Sequence, residues 1–319
     1  MGVRRFRHML VAARNLLDSL AEKSQADGKV HSLTTQHEQW DIVSGVGITA
    51  LAVAAGRAIE HERADRIAQD PYAAALVQAA DAPQFASAEV DDLMRRMMAD
   101  YLGVRTRFFD EFFLRATASG AQQAVILASG LDTRAFRLNW PAGVTVFEID
   151  QPKVLEFKDS TLEQAGAQPN AERHALPVDL RDDWAGALKE AGFDPSVPTA
   201  WLAEGLLPYL PAAAEAQLLE TVDQFSAPGS RISIEHFAGT LDHLDNDELN
   251  QISQQWDMDL ESLFSHDEKP DVVEELRKKG WQAWTDSSAA VAAGYGRELT
   301  GFPAVMHQHG SFVVARKDS

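Results

Sequence analysis

The chain has 319 residues, 45% hydrophobic and 24% charged, a balance that excludes collagenous, mucin-like and wholly disordered readings and can bury a sizeable core. Twenty-nine basic against 48 acidic residues leave a formal charge of −19. That field repels nucleic-acid backbones and anionic lipid, and no basic patch offsets it. There is no cysteine, so disulfides, thiolate nucleophiles and cysteine-bound metal centres are excluded.

Arg4, Arg5 and Arg7 precede the apolar run Met9–Ala13, but Arg14, Asn15 and Asp18 interrupt it before it reaches signal-peptide length. Leu10, Leu17 and Leu20 instead predict a short amphipathic helix, followed by the polar stretch Glu22–Gln39. Residues 1–39 therefore read as a weakly ordered or helical extension outside the main fold. No run of ~20 apolar residues occurs, so no membrane span is expected and the setting is cytoplasmic. Thr49–Glu60 has helical propensity, and Asp70-Pro71 reads as an N-cap and first residue of a helix from about Tyr72 towards Ala80. Leu93, Met97, Tyr101, Val104, Phe108 and Phe112, three and four apart, predict a longer helix with a kink at Gly103 and an end at Gly120. Residues 40–120 are thus a helical cap without strands.

At Ala124 the pattern changes. Ala124–Ala128 is a short apolar run entering Ser129-Gly130-Leu131-Asp132, the signature of a buried parallel strand meeting a turn. Val144–Asp150 is a second strand, followed by a helix over Val154–Gln164. A third strand is expected near Ala175–Val178, with Asp179 at its end, and a fourth over Thr199–Glu204, with its helix over Pro211–Phe225. Arg231–Glu235 is a fifth. Strands alternating with helices at this spacing predict an α/β fold built on an open, doubly wound, mostly parallel sheet. Beyond it, Asp245–Phe264 is an acidic helical segment and Asp271–Lys279 a helix stopped by Gly280. Trp281–Trp284 and Ser311–Arg316 pair as antiparallel strands at the sheet edge. Residues 40–319 form one domain, with 121–319 as its core and about 240–270 as a C-terminal lid segment.

In such a sheet, ligands bind beyond the carboxyl ends of the strands, where strand order reverses. Gly130 fills the turn where backbone must approach the ligand, and Asp150 follows twenty positions later, where an acid can accept bonds from both ribose hydroxyls. Each residue has a second reading: Gly130 as an ordinary tight turn, Asp150 as an N-cap for the following helix. Glu148, on the same strand face as Asp150, is the rival ribose ligand. The dinucleotide fingerprint G-x-G-x-x-G is not met, since its positions hold Ala128, Gly130 and Thr133. A nicotinamide enzyme is the weaker of the adenosine readings.

Val125–Arg134 resembles the cofactor loop of leucine carboxyl methyltransferase-like proteins. Phe147–Pro152, Val178–Arg181 and Trp201–Leu207 follow in that family's order, and Asp70–Ala73 and Val104–Asp110 extend the match upstream. The likeness is closest to the actinobacterial branch of S-adenosylmethionine-dependent methyltransferases and runs from about Trp40 to the C-terminus. It implies a class I methyltransferase fold, Rossmann-like, with S-adenosyl-L-methionine as cofactor. It further implies that Arg105 pairs with the methionine carboxylate and that the turn Ala128, Ser129, Gly130 passes beneath it. Asp150 would hold the ribose, Asp179 and the Leu180 N–H would read the adenine, and Glu204 would receive the amino group. Ala128 departs from the family's wider pattern, which commonly has glycine there, and its methyl should narrow the approach only slightly.

The charges match independently: an arginine for a carboxylate and a carboxylate for an ammonium are the strong, charge-assisted pairs. The alternatives are a solvated or Asp110-paired Arg105, and a structural arginine serving Glu204. The resemblance suggests a carboxylate acceptor, which is ionised at pH 7 and needs no general base; a hydroxyl acceptor needs one. Glu235 and His236, at the end of the fifth strand, are the catalytic candidates, against a purely structural strand-end pair. Tyr209, five residues beyond Glu204, faces the acceptor or packs beneath the helix. His243, His266, His307 and His309 read as solvated, and no metal site is expected. The acceptor is a small molecule or carries a carboxylate, with no nucleic acid involved. The competing functions are a nicotinamide-dependent oxidoreductase and a non-catalytic adenosyl-cofactor-binding protein.

Overall fold

Among the described residues three helices precede residue 123, and strands and helices alternate from there. The computed structural model describes residues 46–80, 92–237, 265–299 and 310–318. The N-terminal amphipathic helix, the acidic segment 245–264, His243, His307 and His309 lie outside the described residues. The helices that precede the sheet are α1 (Val46–Glu62), α2 (Ala73–Ala79) and α3 (Asp92–Ala118). Then come β1 (Gln123–Leu127), α4 (Arg134–Arg137), β2 (Thr145–Asp150), α5 (Pro152–Gln164), β3 (Glu172–Pro177), α6 (Trp184–Glu190) and β4 (Thr199–Ala203). A 3-10 turn (Leu207–Tyr209) leads into α7 (Ala212–Gln224) and β5 (Arg231–Phe237). The tail adds α8 (Val272–Lys278), β6 (Trp281–Ser287), α9 (Ser288–Gly294) and β7 (Gly310–Lys317).

The sheet runs β3-β2-β1-β4-β5-β7-β6. The first five of these strands are mutually parallel, and β7 lies antiparallel between β5 and β6. The chain winds outward from β1 to β3, then returns to β4 on the other side of β1. The order therefore reverses between β1 and β4, so the crevice for a ligand opens above their carboxyl ends. β1 and β4 are buried at all five positions, which is why each reads as an apolar run after its first residue.

Two boundaries differ from expectation, each for a local reason. β3 begins at Glu172 because, as an edge strand, it keeps polar residues and shows an apolar signal only near its end. α2 begins at Ala73 with Tyr72 as N-cap; Asp70 instead accepts the Tyr72 N–H and the Arg57 side chain. α3 ends at Ala118, just before Gly120 as expected, and at Gly103 the missing side chain admits α1: a Cβ there would sit 2.8 Å from Glu60 Cδ.

Alternation along the strands divides the core in two. Ala124, Ile126, Val146, Ala200, Leu202 and Phe312 face Phe108, Phe109, Phe112 and Phe113 of α3. Val125, Leu127, Phe147, Ile149, Trp201 and Ile234 face the opposite side, against Trp184 of α6, Val222 of α7 and Leu276 of α8. Phe312 stacks on Phe108 with centroids 4.5 Å apart and meets Phe109 edge-on at 5.3 Å. The same alternation carries Glu148, Asp150, Glu204 and Glu235 to the α3 side, which assembles the site.

Candidate functional site

β1 ends in a turn whose backbone is left-handed twice, at Ala128 (φ 50°) and Gly130 (φ 49°). Glycine adopts this conformation freely, whereas the Ala128 methyl makes it strained. The turn is tied down on three sides. Ser129 N–H donates to the Ile149 carbonyl at 2.9 Å, Asp132 N–H to the Ser129 carbonyl at 2.8 Å, and Gly130 N–H to Asp150 Oδ2 at 2.5 Å. The other Asp150 oxygen accepts Gln151 N–H at 2.7 Å. Burial pushes the Asp150 carboxyl up from its ordinary range against these two amide bonds. The N-cap of α5 is Gln151, with Pro152 opening the helix, so the capping alternative for Asp150 is not what the structure shows.

Glu148 lies on the same face and is fully buried, but its charge is already matched. Its Oε2 is 2.8 Å from Lys158 Nζ and receives Arg173 at 2.6 and 3.0 Å. Asp150, at the strand end, is only partly buried and is held by two backbone amides.

Glu204 follows β4 directly and is held between two arginines, with Arg105 Nε 3.0 Å from Oε1 and Arg134 Nη1 2.6 Å from Oε2. Burial opposes its ionisation, but Arg134 and Arg105 overcome this and hold its carboxyl below the usual range. Arg105, from α3, also reaches Glu235 Oε2 at 2.8 Å, and the Tyr101 hydroxyl donates to Glu235 Oε1 at 2.5 Å. Arg105 is only 7% exposed, and its Nε lacks an aligned acceptor. Gly205 (φ +63°) permits this approach, since a Cβ there would stand 2.6 Å from Arg105 Nη2.

The pairing of Arg105 with Asp110 does not occur. Five residues along a helix rotate by about 140°, so the two point apart. Asp110 binds Arg134 Nε at 2.7 Å and Arg137 at 2.5 and 2.8 Å. Arg57 and Asp70, 2.8 Å apart, continue the network. Charged contacts thus run from α1 to β5 across the carboxyl edge of the sheet.

Asp179 is where expected, beyond β3. It accepts the Arg181 N–H at 2.9 Å, the Arg181 side chain at 2.7 and 2.9 Å, and Gln151 Nε2 at 3.1 Å. Leu180 packs against the core layer opposite α3. Tyr209 sits in the 3-10 turn, where burial raises its phenol and Thr49 hydrogen-bonds to it. Strand alternation separates Glu235 from His236: Glu235 joins the arginine cluster, while His236 faces the other side, where burial lowers its imidazole and Asp271 and Lys269 are its charged neighbours. His266 is exposed.

Sequence reasoning did not assign roles to Arg134, Asp132, Tyr101 or Lys158. Arg134 is 2% exposed and binds Asp110, Asp132 and Glu204. The available signal was an Asp132-Leu131-flanked turn followed by arginine in an apolar setting, where buried charge demands a partner. Among the described residues no cluster of three or more His, Asp or Glu is arranged to hold a metal, and no helix is long and apolar enough to cross a membrane.

The profile of the leucine carboxyl methyltransferase family matches residues 50–223, from α1 to the end of α7. This chain belongs to that family. A relative in Saccharopolyspora erythraea, provisionally named an S-adenosyl-L-methionine-dependent methyltransferase, is 54% identical over 88% of this chain and 99% of its own. A relative of the same provisional name in Rhodococcus jostii is 48% identical over 85% of this chain and 94% of its own. A provisionally assigned methyltransferase from Thermobifida fusca has been solved, and it covers 88% of this chain and 97% of its own at 17% identity and a TM-score of 0.49. The expected architecture of the leucine carboxyl methyltransferase family holds: an α/β, Rossmann-like sheet, mostly parallel, with an antiparallel strand pair at one edge.

Proposed function

We propose that this protein transfers a methyl group from S-adenosyl-L-methionine to an oxygen of its acceptor, a carboxylate or a hydroxyl. The observation that carries this reading is the buried Arg105–Glu204 pair beside the switch point, with an Arg105 Nε donor left without an aligned acceptor. An amino-acid moiety presents one carboxylate and one ammonium, the complement of that pair. Arg105 would take the carboxylate and Glu204 the ammonium, both as charge-assisted bonds that replace the 3.0 Å contact the two side chains make with each other. Asp150 fits a ribose diol for a similar reason. Its hydrogen bonds come from two backbone amides, and a carboxylate has about four acceptor positions. Asp179 and the N–H of Leu180 would meet the adenine edge, and Ala128, Ser129 and Gly130 would floor the pocket.

When bound, the cofactor supplies an electrophilic methyl on a sulfonium. The chain's own task is to hold the partners in line and keep water out, a positioning role worth several kcal/mol of barrier. A carboxylate acceptor arrives ionised and asks nothing further. For a hydroxyl acceptor, Glu235 would hold the released proton. Burial raises its carboxyl, Arg105 opposes this, and Tyr101 anchors the second oxygen. Tyr209 would bound the acceptor pocket. His236, on the opposite face, is the weaker candidate.

Incubation with methyl-labelled S-adenosylmethionine and a panel of small carboxylic acids and alcohols tests the reading. Base-labile label in product marks a methyl ester, base-stable label marks an ether, and transfer to neither class refutes it.

A further inference from the structure

Lys158, on α5, is a buried cation that the cofactor assignments above leave out. Its side chain is 0% exposed, as is that of Glu148, and its Nζ lies 2.8 Å from Glu148 Oε2 and 3.2 Å from Ser129 Oγ. It therefore sits directly beneath the turn that carries Ala128 and Gly130. That turn is strained at Ala128, so what holds Ser129 also fixes the backbone on either side of it. Lys158 Nζ is 3.2 Å from Ser129 Oγ, and the N–H of the next residue, Gly130, binds Asp150 Oδ2 at 2.5 Å, which brings the Lys158 charge within electrostatic reach of that carboxylate.

The surrounding charges nearly cancel in pairs. Glu148 is shared between Lys158 and Arg173 of β3, and Arg173 also binds Asp159 at 2.7 Å. Asp179, held by Arg181, and Asp132, held by Arg134, are the other charged groups close to Asp150 and Lys158. A wholly buried lysine costs desolvation energy, and a methionine or leucine would fill the space without that cost. A lysine here has a use if the turn needs both a donor for Ser129 and a positive charge beneath Asp150.

We propose that Lys158 is a positioning residue of the adenosyl pocket: it pins Ser129 from below the turn, and it supplies the positive charge against which Asp150 binds the ribose. This rests on the cofactor reading above. Burial drives the Asp150 carboxyl towards protonation, and Lys158 opposes that; a protonated Asp150 loses an acceptor for the diol. Lys158 thus works with the Gly130 and Gln151 amides to lower the pH at which the cofactor is released.

The test is calorimetric titration with S-adenosylhomocysteine from about pH 4.5 to 8 on the full chain, comparing wild type, Lys158→Met, Glu148→Gln and Ser129→Ala. Wild type should bind at neutral pH and weaken on acidification. Lys158→Met should bind less tightly, and its acid limb should begin about one pH unit higher. Glu148→Gln should move the limb the other way, because it removes the anion that neutralises Lys158. The amide carbonyl can keep the contacts that Glu148 Oε2 receives, at a cost in stability because Lys158 and Arg173 lose their shared anion, so binding is compared where the variant is folded. Ser129→Ala should weaken binding at every pH with its limb in place. A merely structural role for Lys158 would weaken binding in all variants and shift none of the limbs. If wild type binds while the lysine and glutamate variants keep its limb, the inference is overturned and the cofactor reading survives. Should Lys158→Met fail to fold, the downward shift in Glu148→Gln decides alone. If wild type does not bind at all, both fall together.

Discussion

Replacing Arg134 by methionine tests whether the charge network carries the site or only decorates it. Arg134 is 2% exposed and serves three carboxylates, but two of them have other partners. Asp110 keeps Arg137 at 2.5 and 2.8 Å, and Glu204 keeps Arg105 at 3.0 Å. Asp132 keeps only the Arg134 backbone N–H, at 2.6 Å, as its close hydrogen bond. The variant therefore strands about one buried carboxylate, which costs about 3–5 kcal/mol. Asp132→Asn in the same chain removes that stranded charge, so the double variant should recover most of the loss. The pH dependence follows with a definite sign. Burial disfavours the Asp132 charge, yet Arg134 and its neighbours hold the carboxyl below the ordinary value. Its contribution in wild type is thus complete above about pH 4 and lost as pH falls through the folded value. In Arg134→Met burial acts without its main opponent and the carboxyl moves upward, so stability is lost as pH rises from about 4. The gap between the two proteins should be smallest near pH 4 and largest at neutrality. Urea denaturation at pH 4 to 8 measures it. A loss under ~1 kcal/mol at pH 7, or a double variant no better than the single, would refute the reasoning.

Two further outcomes test the fold around the site. Ala128→Gly should stay within about 1 kcal/mol of wild type, because relief of left-handed strain is offset by glycine's chain entropy. Ala128→Val should lose about 1–3 kcal/mol, since a branched side chain tolerates that backbone worse, and equal melting of the two by calorimetry would contradict the assignment. Phe312→Ala should cost about 3–5 kcal/mol in urea denaturation, as Phe312 is fully buried against Phe108 and Phe109. A loss below ~1 kcal/mol there would mean that α3 does not close that layer of the core.

Much of this was legible in the residues because the buried strands leave so little ambiguity. β1 and β4 are apolar at nearly every position and end in turn or acid, so their extents and the crevice above them follow directly. The acids Asp150 and Glu204 stand out for the same reason, as charges at the mouth of apolar runs. β3 was harder, since an edge strand carries its partners in backbone rather than side chains. What sequence cannot supply is which cation meets which acid. Arg105 and Asp110 are near in sequence yet point apart, whereas Arg134 meets Glu204 across 70 positions. Lys158 was invisible because a lysine on a helix ordinarily reads as solvated, and only the packing of α5 under the turn buries it. The Glu235-His236 pair was divided by strand alternation, a rule available beforehand but decisive only once the sheet's two faces had partners.

Under the proposed function Asp150, and not Glu148, would receive the cofactor's ribose at the end of β2. Calorimetric titration with S-adenosylhomocysteine on wild type, Asp150→Ala and Glu148→Ala tests it most directly. Saturable binding in wild type, weakened in Asp150→Ala by about 2–4 kcal/mol, roughly 30- to 700-fold, is the predicted result. Glu148→Ala should lose stability from its stranded cations yet bind far better than Asp150→Ala wherever it is folded. An Asp150→Ala variant that binds like wild type while Glu148→Ala does not would contradict the account.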